Sequence, residues 1–242
     1  IKSTLIPTAL IEILYSMRTE LLFPTPIWID EDCGGVDPKE IADFVYTVEK
    51  EDPKGVQASN FGGWQSDSFR DTHIPDPLSK LYQRLMANAY ESADSFGFLN
   101  YTLKLSNLWM NINRKGNSNN VHTHAGCIMS GVYYAKVPNC CCGELKFLRE
   151  LKDQCLKEYW GCNENFDRYE HQHNFLEWYV QPRENLMILF PSWLMHSVDA
   201  SASDDDRISL SFNIHVFSDY YRDNEIYPKR KHNNSQLSLK IN

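Results

Sequence analysis

The sequence predicts a mainly β fold with flanking helices, an antiparallel sandwich or jelly roll packed against N-terminal helices. Three observations predict it. Two amphipathic helical stretches lie before about residue 100. After it, short strands recur at near-regular spacing with no long helix between them. One of these strands, Arg207 to Asn213, alternates polar and apolar residues, so that one face is dry and the other lines something wet or liganded.

The first helix opens at Asp37-Pro38-Lys39-Glu40, where an N-cap is followed by a proline at the first helical position and a glutamate three residues on. Ile41, Phe44, Val45 and Val48 then fall at helical spacing. Asp76-Pro77 opens the second, with Leu78, Leu81, Tyr82, Leu85, Met86, Ala89 and Ala93 on one face. Both stripes are expected to pack on a sheet. Between them, Gly62-Gly63-Trp64 marks a shaped loop, because glycine permits backbone angles that other residues avoid. Trp64 either faces a site or turns a corner.

Strands are expected at Leu103–Asn113, Cys127–Val137, Glu144–Leu148, Trp178–Val180, Leu186–Phe190 and Arg207–Phe217. On the first, Trp109, Asn111 and Asn113 share a face; on the last, Arg207, Ser209, Ser211 and Asn213 do. Asn111, Asn113 and Asn213 are therefore candidates to line a cavity. Residues 149–176, charged and aromatic, interrupt the strand rhythm as an insertion. The expected organisation is an N-terminal segment (1–20), one domain (21–220) with a core at about 101–217, and a polar tail (221–242).

The composition excludes little but constrains partners. The chain has 242 residues, enough for one full core, and a net charge of −8 without a basic block, which argues against a bulk electrostatic grip on nucleic acid. No apolar stretch is long enough to span a membrane, and the weak apolar run at residues 3–14 is interrupted by Glu12. The cysteines are odd in number, and Cys140-Cys141-Cys142 are consecutive, a usage that fits a reducing, cytoplasmic compartment. Adjacent cysteines rarely point at one centre, so a soft-metal site there is disfavoured.

The chemistry lies in His122-Thr123-His124 and in Phe190-Pro191-Ser192-Trp193-Leu194-Met195-His196. Residues i and i+2 of an extended segment face one side, so His122 and His124 could reach one ion with His196 as a third ligand. Arg207 could grip a carboxylate through two parallel bonds, with Ser209 beside it; the competing expectation is a salt bridge to Asp204, Asp205 or Asp206. His171-Gln172-His173 repeats the spacing inside the polar insertion and reads as surface, as do His73 and His215.

The ordered strings Asn120-x-His122-x-His124, Ser130-Gly131-Val132-Tyr133-Tyr134, Gly143-Glu144-Leu145-x-Phe147, Phe190-Pro191-Ser192-Trp193-x-x-His196-x-Val198 and Arg207-Ile208-Ser209-x-Ser211-Phe212-Asn213 resemble 2OG-Fe(II) oxygenases related to the prolyl-hydroxylase group. Leu22 to Ile27 and Gly62 to Ser66 resemble N-terminal signatures of the same family. The resemblance implies a double-stranded β-helix (cupin-like jelly roll) and an Fe(II)- and 2-oxoglutarate-dependent dioxygenase that uses O2. The expected reaction is hydroxylation of an unidentified substrate with release of succinate and CO2. It implies His122, His124 and His196 as metal ligands, and Arg207, Ser209 and Tyr134 around the distal carboxylate of 2-oxoglutarate. Two departures stand out. His124 occupies a position where an aspartate or glutamate is usual, and Glu184-Asn185 stands where a glycine usually precedes the last apolar strand. Two other readings remain: a three-histidine thiol-dioxygenase-type cupin without 2-oxoglutarate, and a non-enzymatic cupin-like binding protein.

Overall fold

The computed structural model describes residues 23–98, 101–149 and 176–218. The N-terminal segment, most of the insertion with His171 and His173, and the tail lie outside the described residues.

Two helices form as their sequences require. Helix α1 (Pro38–Glu51) starts where the Asp37 carboxylate accepts from the backbone N–H of Lys39 (2.9 Å) and Glu40 (3.3 Å). This satisfies two of the donors that a helix start leaves open. Helix α2 (Ser79–Ser95) follows a single 3-10 turn at Asp76–Leu78 and buries Leu81, Leu85, Ala89 and Ala93. No helix among the described residues is long and apolar enough to cross a membrane.

The strands are β1 (Trp28–Asp30), β2 (Asn60–Phe61), β3 (Trp64–Gln65), β4 (Tyr101–Asn113), β5 (Ser118–His122), β6 (Met129–Lys136), β7 (Leu145–Leu148), β8 (Glu177–Val180), β9 (Met187–Pro191), β10 (His196–Val198) and β11 (Arg207–Ser218). They build two antiparallel sheets, one in the order β1-β9-β6-β11-β4-β3 and the other β2-β5-β10-β7-β8. The fold is a double-stranded β-helix with helices against the larger sheet. Periodicity does not predict β1, β2, β3 and β10, because each has only 2 or 3 residues. Their pairing partners define them instead.

Alternation on β11 splits the core in two. Ile208, Leu210, Phe212 and Ile214 join Ile41, Val45, Leu81 and Leu85 in the layer between the larger sheet and the helices. A second cluster lies between the sheets: Tyr134, Ile188 and Phe190 from the larger sheet meet Leu145 and Phe147 from the smaller. Gly131 permits the tight layer on β6, since a Cβ there would lie 2.3 Å from Phe212 Cζ and 2.6 Å from the Ile188 carbonyl. Arg207, Ser209, Ser211 and Asn213 are left on the face between the sheets.

The turn before β9 accounts for the missing glycine. Asn185 takes φ +65°, a left-handed conformation that asparagine tolerates better than most residues. Its side chain is also used, accepting from Tyr133 Oη (3.0 Å) and donating to Asp32 (2.5 Å).

Candidate metal centre

Two short strands of the smaller sheet bring the histidines together. His122, the last residue of β5, sits opposite His196, the first of β10, and their ring centroids are 4.3 Å apart. His124 lies beyond the end of β5, so the expectation that both share one strand face is met only in part. Its position is set by a loop bond, its backbone N–H donating to the Ser192 carbonyl (2.9 Å). The ligand atoms of the three rings all lie within 4.8 Å of one another, and no other group of three or more His, Cys, Asp or Glu residues among those described could hold a metal ion. Cys140 to Cys142 make no such group.

The imidazoles are prepared to donate lone pairs. His122 Nδ1 lies 2.6 Å from the Asn120 carbonyl and His196 Nδ1 2.8 Å from that of Leu194. A protonated Nδ1 donating to each carbonyl leaves Nε2 as the coordinating atom. The Nε2 atoms of His124 and His196 are 3.2 Å apart. Two ligands about 2.1 Å from one ion and at right angles stand roughly 3 Å apart, so the spacing suits adjacent positions of an octahedron. Burial and then the neighbouring His122 push His196 down to about 3, partly offset by its bond to the Leu194 carbonyl, and burial and His122 push His124 down to about 4. Phe147 and Phe190 pack on His196, and Trp109 lies 5.9 Å from His124, centroid to centroid.

Arg207 is the second feature. It is 2% exposed, and its Nη1 donates to the carbonyls of Cys142 (3.0 Å) and Gly143 (2.8 Å) while its Nε has no partner. Burial pulls its pKa down, and Tyr134 opposes that pull. The competing salt bridge is not made: Asp204 pairs with Lys115, and Asp206 pairs with Arg114 and accepts from Tyr46. A buried guanidinium with an orphaned N–H and no carboxylate among the described residues calls for an anion. Tyr134 stands opposite Ser209 in the β6–β11 register, and both are buried. Burial raises the Tyr134 phenol to about 12, with Arg207 drawing it back, so it stays protonated and able to donate. The donor set therefore fits an imidazole-bound transition metal such as iron, and the orphaned guanidinium fits a dicarboxylate beside it.

The remaining candidates divide. Asn111 and Asn113 are buried on the inner face of β4; Asn111 donates to Ser211 Oγ (3.2 Å), and Asn113 stands opposite Arg207. Asn213, also buried, accepts from Ser130 Oγ (2.7 Å) and donates to Asn107 Oδ1 (2.9 Å), which ties β11 to β6 and β4. Trp64 is corrected: it packs in the helix-side core, and its indole donates to the Asp52 carbonyl (2.7 Å). β3 puts Gln65 rather than Trp64 opposite Asn111, so Gln65 is the residue turned inward. Alternation beside Trp64 was the signal for it. Phe147 and Phe190 stood within the resembling motifs, but their packing on His196 required the pairing of sheets.

Comparison with known proteins agrees with this geometry. Residues 107–213 match the sequence model of the family described as "Putative 2OG-Fe(II) oxygenase". No curated protein matches the chain. Among solved structures, a Pseudomonas putida prolyl-4-hydroxylase is similar at TM-score 0.55 and 13% identity, over 85% of this chain and 97% of that one. A Trichoplax adhaerens prolyl hydroxylase, solved with a hypoxia-inducible-factor peptide fragment, gives 0.55 and 16% over 81% and 85%. HygX from Streptomyces hygroscopicus, solved with nickel, 2-oxoglutarate and hygromycin B, gives 0.52 and 12% over 79% and 83%. At these identities the structures share the fold with this chain. The family match spans all three imidazoles, Tyr134 and Arg207, so the stretch that carries the candidate site is similar to the 2OG-Fe(II) oxygenases.

Proposed function

We propose that this oxygenase hydroxylates its primary substrate at a centre held by His122, His124 and His196, with Arg207, Ser209 and Tyr134 binding the C5 carboxylate of 2-oxoglutarate. Residues 21–220 form its single catalytic domain in this reading. The observation that carries it is the orphaned Nε of buried Arg207, between the same two sheets that carry the three convergent imidazoles. In a three-histidine centre without 2-oxoglutarate, Arg207 would instead bind the substrate's own carboxylate, and succinate formation separates the two readings.

When bound, Fe(II) would activate O2 as the oxidant, with 2-oxoglutarate supplying one electron pair as it is oxidised to succinate and CO2; one oxygen atom would go to succinate and the other to the substrate. The chain's own residues do the rest. Arg207 neutralises the distal carboxylate, with Tyr134 and Ser209 as further donors. Leu145, Leu186, Ile188 and Phe190 wall the space between the sheets and exclude water. The bonds of His122 and His196 to backbone carbonyls hold the rings in one tautomer.

Turnover with Fe(II), ascorbate and 2-oxoglutarate tests the reading. Succinate is expected in stoichiometry with O2 consumed, and a hydroxylated product gains the mass of one oxygen atom. A product of unchanged mass and inverted configuration would make the enzyme an epimerase, the activity named for the neighbour SnoN, which is similar at TM-score 0.53 and 14% identity. O2 uptake with a thiol and no requirement for 2-oxoglutarate would overturn the proposal in favour of a thiol dioxygenase.

A further inference from the structure

The turn that holds Arg207 also carries a pair of thiols. Residues 137–144 join β6 to β7, and within them the carbonyls of Cys142 and Gly143 accept from Arg207 Nη1. One residue earlier, the Cys141 carbonyl accepts from the Ala202 N–H (2.7 Å), which pins the turn to the segment leading into β11. A change of backbone at Cys141 is therefore passed directly to the groups that orient the guanidinium.

Cys141 takes φ +52°, a left-handed conformation in which glycine or asparagine is the usual occupant. An extended chain would send neighbouring side chains to opposite faces. The left-handed residue breaks that alternation. Cys140 and Cys141 are both exposed and hydrogen-bond each other through their side chains, while Cys142 is buried. Among the other described cysteines, Cys33 is buried and Cys127 only partly exposed, so access favours this pair as the reactive one.

A disulfide between Cys140 and Cys141 would not leave the turn as it is. Neighbouring Cα atoms stand about 3.8 Å apart, closer than the roughly 4.4–6.8 Å that disulfides usually span, so the ring closes only if the peptide between the two residues is reshaped. Such a bond is also readily reduced, which makes it reversible.

We propose that Cys140 and Cys141 are a site of reversible oxidation by low-molecular-weight disulfides, and that closing the bond between them loosens the hold on Arg207 and weakens 2-oxoglutarate binding. The inference rests on the reading of Arg207 given above. One thiolate of the pair attacks a sulfur of the small disulfide and expels one thiolate, leaving a mixed disulfide. The neighbouring thiolate then attacks the protein sulfur of that bond and expels the second. Two electrons pass to the small disulfide, and the two thiol protons end on the two thiols released.

The test uses the full chain loaded with Fe(II) under anaerobic conditions, equilibrated first with glutathione disulfide and then with reduced glutathione. Peptide mass mapping is expected to show the loss of two hydrogen atoms from the fragment that carries both cysteines, and no such loss in Cys140→Ser or Cys141→Ser. Calorimetric titration is expected to give roughly tenfold weaker 2-oxoglutarate binding by the oxidised protein, as for the loss of one hydrogen bond to a charged group. Reduced glutathione should restore it, and the double variant Cys140→Ser/Cys141→Ser should bind like the reduced protein in both buffers. Mixed disulfides with glutathione alone, a link from either cysteine to a different one, or unchanged affinity of the linked protein would overturn the proposal. Arg207→Ala separates it from the reading on which it rests. Normal 2-oxoglutarate binding by Arg207→Ala would sink that reading and this proposal with it. Lost binding in Arg207→Ala, with no effect of oxidation on the native chain, would sink this proposal alone.

Discussion

His122 and His196 face each other across the β5–β10 pairing, 74 residues apart in the chain, yet with ring centroids 4.3 Å apart. Each bonds a carbonyl two residues earlier in its own chain segment, so both rings are oriented before any ion arrives. Preorganisation of this kind lowers the cost of binding, and it makes the third imidazole the informative one to change.

His124→Ala is expected to lose most bound iron, and His124→Asp to retain it, because a carboxylate restores an oxygen donor at that place. Iron content of protein reconstituted anaerobically decides this. Full occupancy and normal turnover in His124→Ala would show that His124 is not a ligand.

Arg207→Ala is expected to weaken 2-oxoglutarate binding by at least a hundredfold, about 3 kcal/mol, while metal content stays near normal. Titration of the metal-loaded variant with 2-oxoglutarate measures it. Unchanged affinity would move the anion site elsewhere.

Gly143 sits at φ +82°, where a Cβ would lie 2.1 Å from the Asp199 carbonyl and 3.3 Å from Arg207 Nη1. Gly143→Ala is therefore expected to displace the carbonyl that Arg207 grips and to raise the KM for 2-oxoglutarate severalfold, with metal content unchanged. A normal KM would show that the Cys142 carbonyl alone holds the guanidinium.

Asp30 ties β1 to α2 through Arg84 (2.7 Å) and Asn88 (2.7 Å). Burial alone would raise its pKa, but the bonds from Arg84 and Asn88 and the charge of Arg84 outweigh it and hold the carboxyl below its usual value. A depressed carboxyl stabilises the fold above the unfolded pKa of about 3.9, and the contribution is lost as pH falls through the folded value. Asp30→Asn should therefore lower Tm at pH 7 and make little difference near pH 2. An equal loss of Tm at both pH values would contradict this.

The sequence by itself determined the elements whose pattern is local and long. Helix α1 was legible from Asp37-Pro38 and its apolar stripe, and β4 and β11 from the alternation at Trp109–Asn113 and Arg207–Asn213. The three histidines and Arg207 were legible as candidates because their motifs are short and ordered. Tertiary structure alone decided what needs a partner. β1, β2, β3 and β10 are too short to carry a period, so only their neighbours make them strands. Trp64 and Gln65 were ambiguous until pairing with Ile112 and Asn111 assigned them opposite faces. Arg207 could equally have met an aspartate from the run just before it. Burial between the sheets, with Asp204 and Asp206 engaged elsewhere, left its Nε without a partner, because which charges meet is settled by packing and desolvation and not by proximity in the chain.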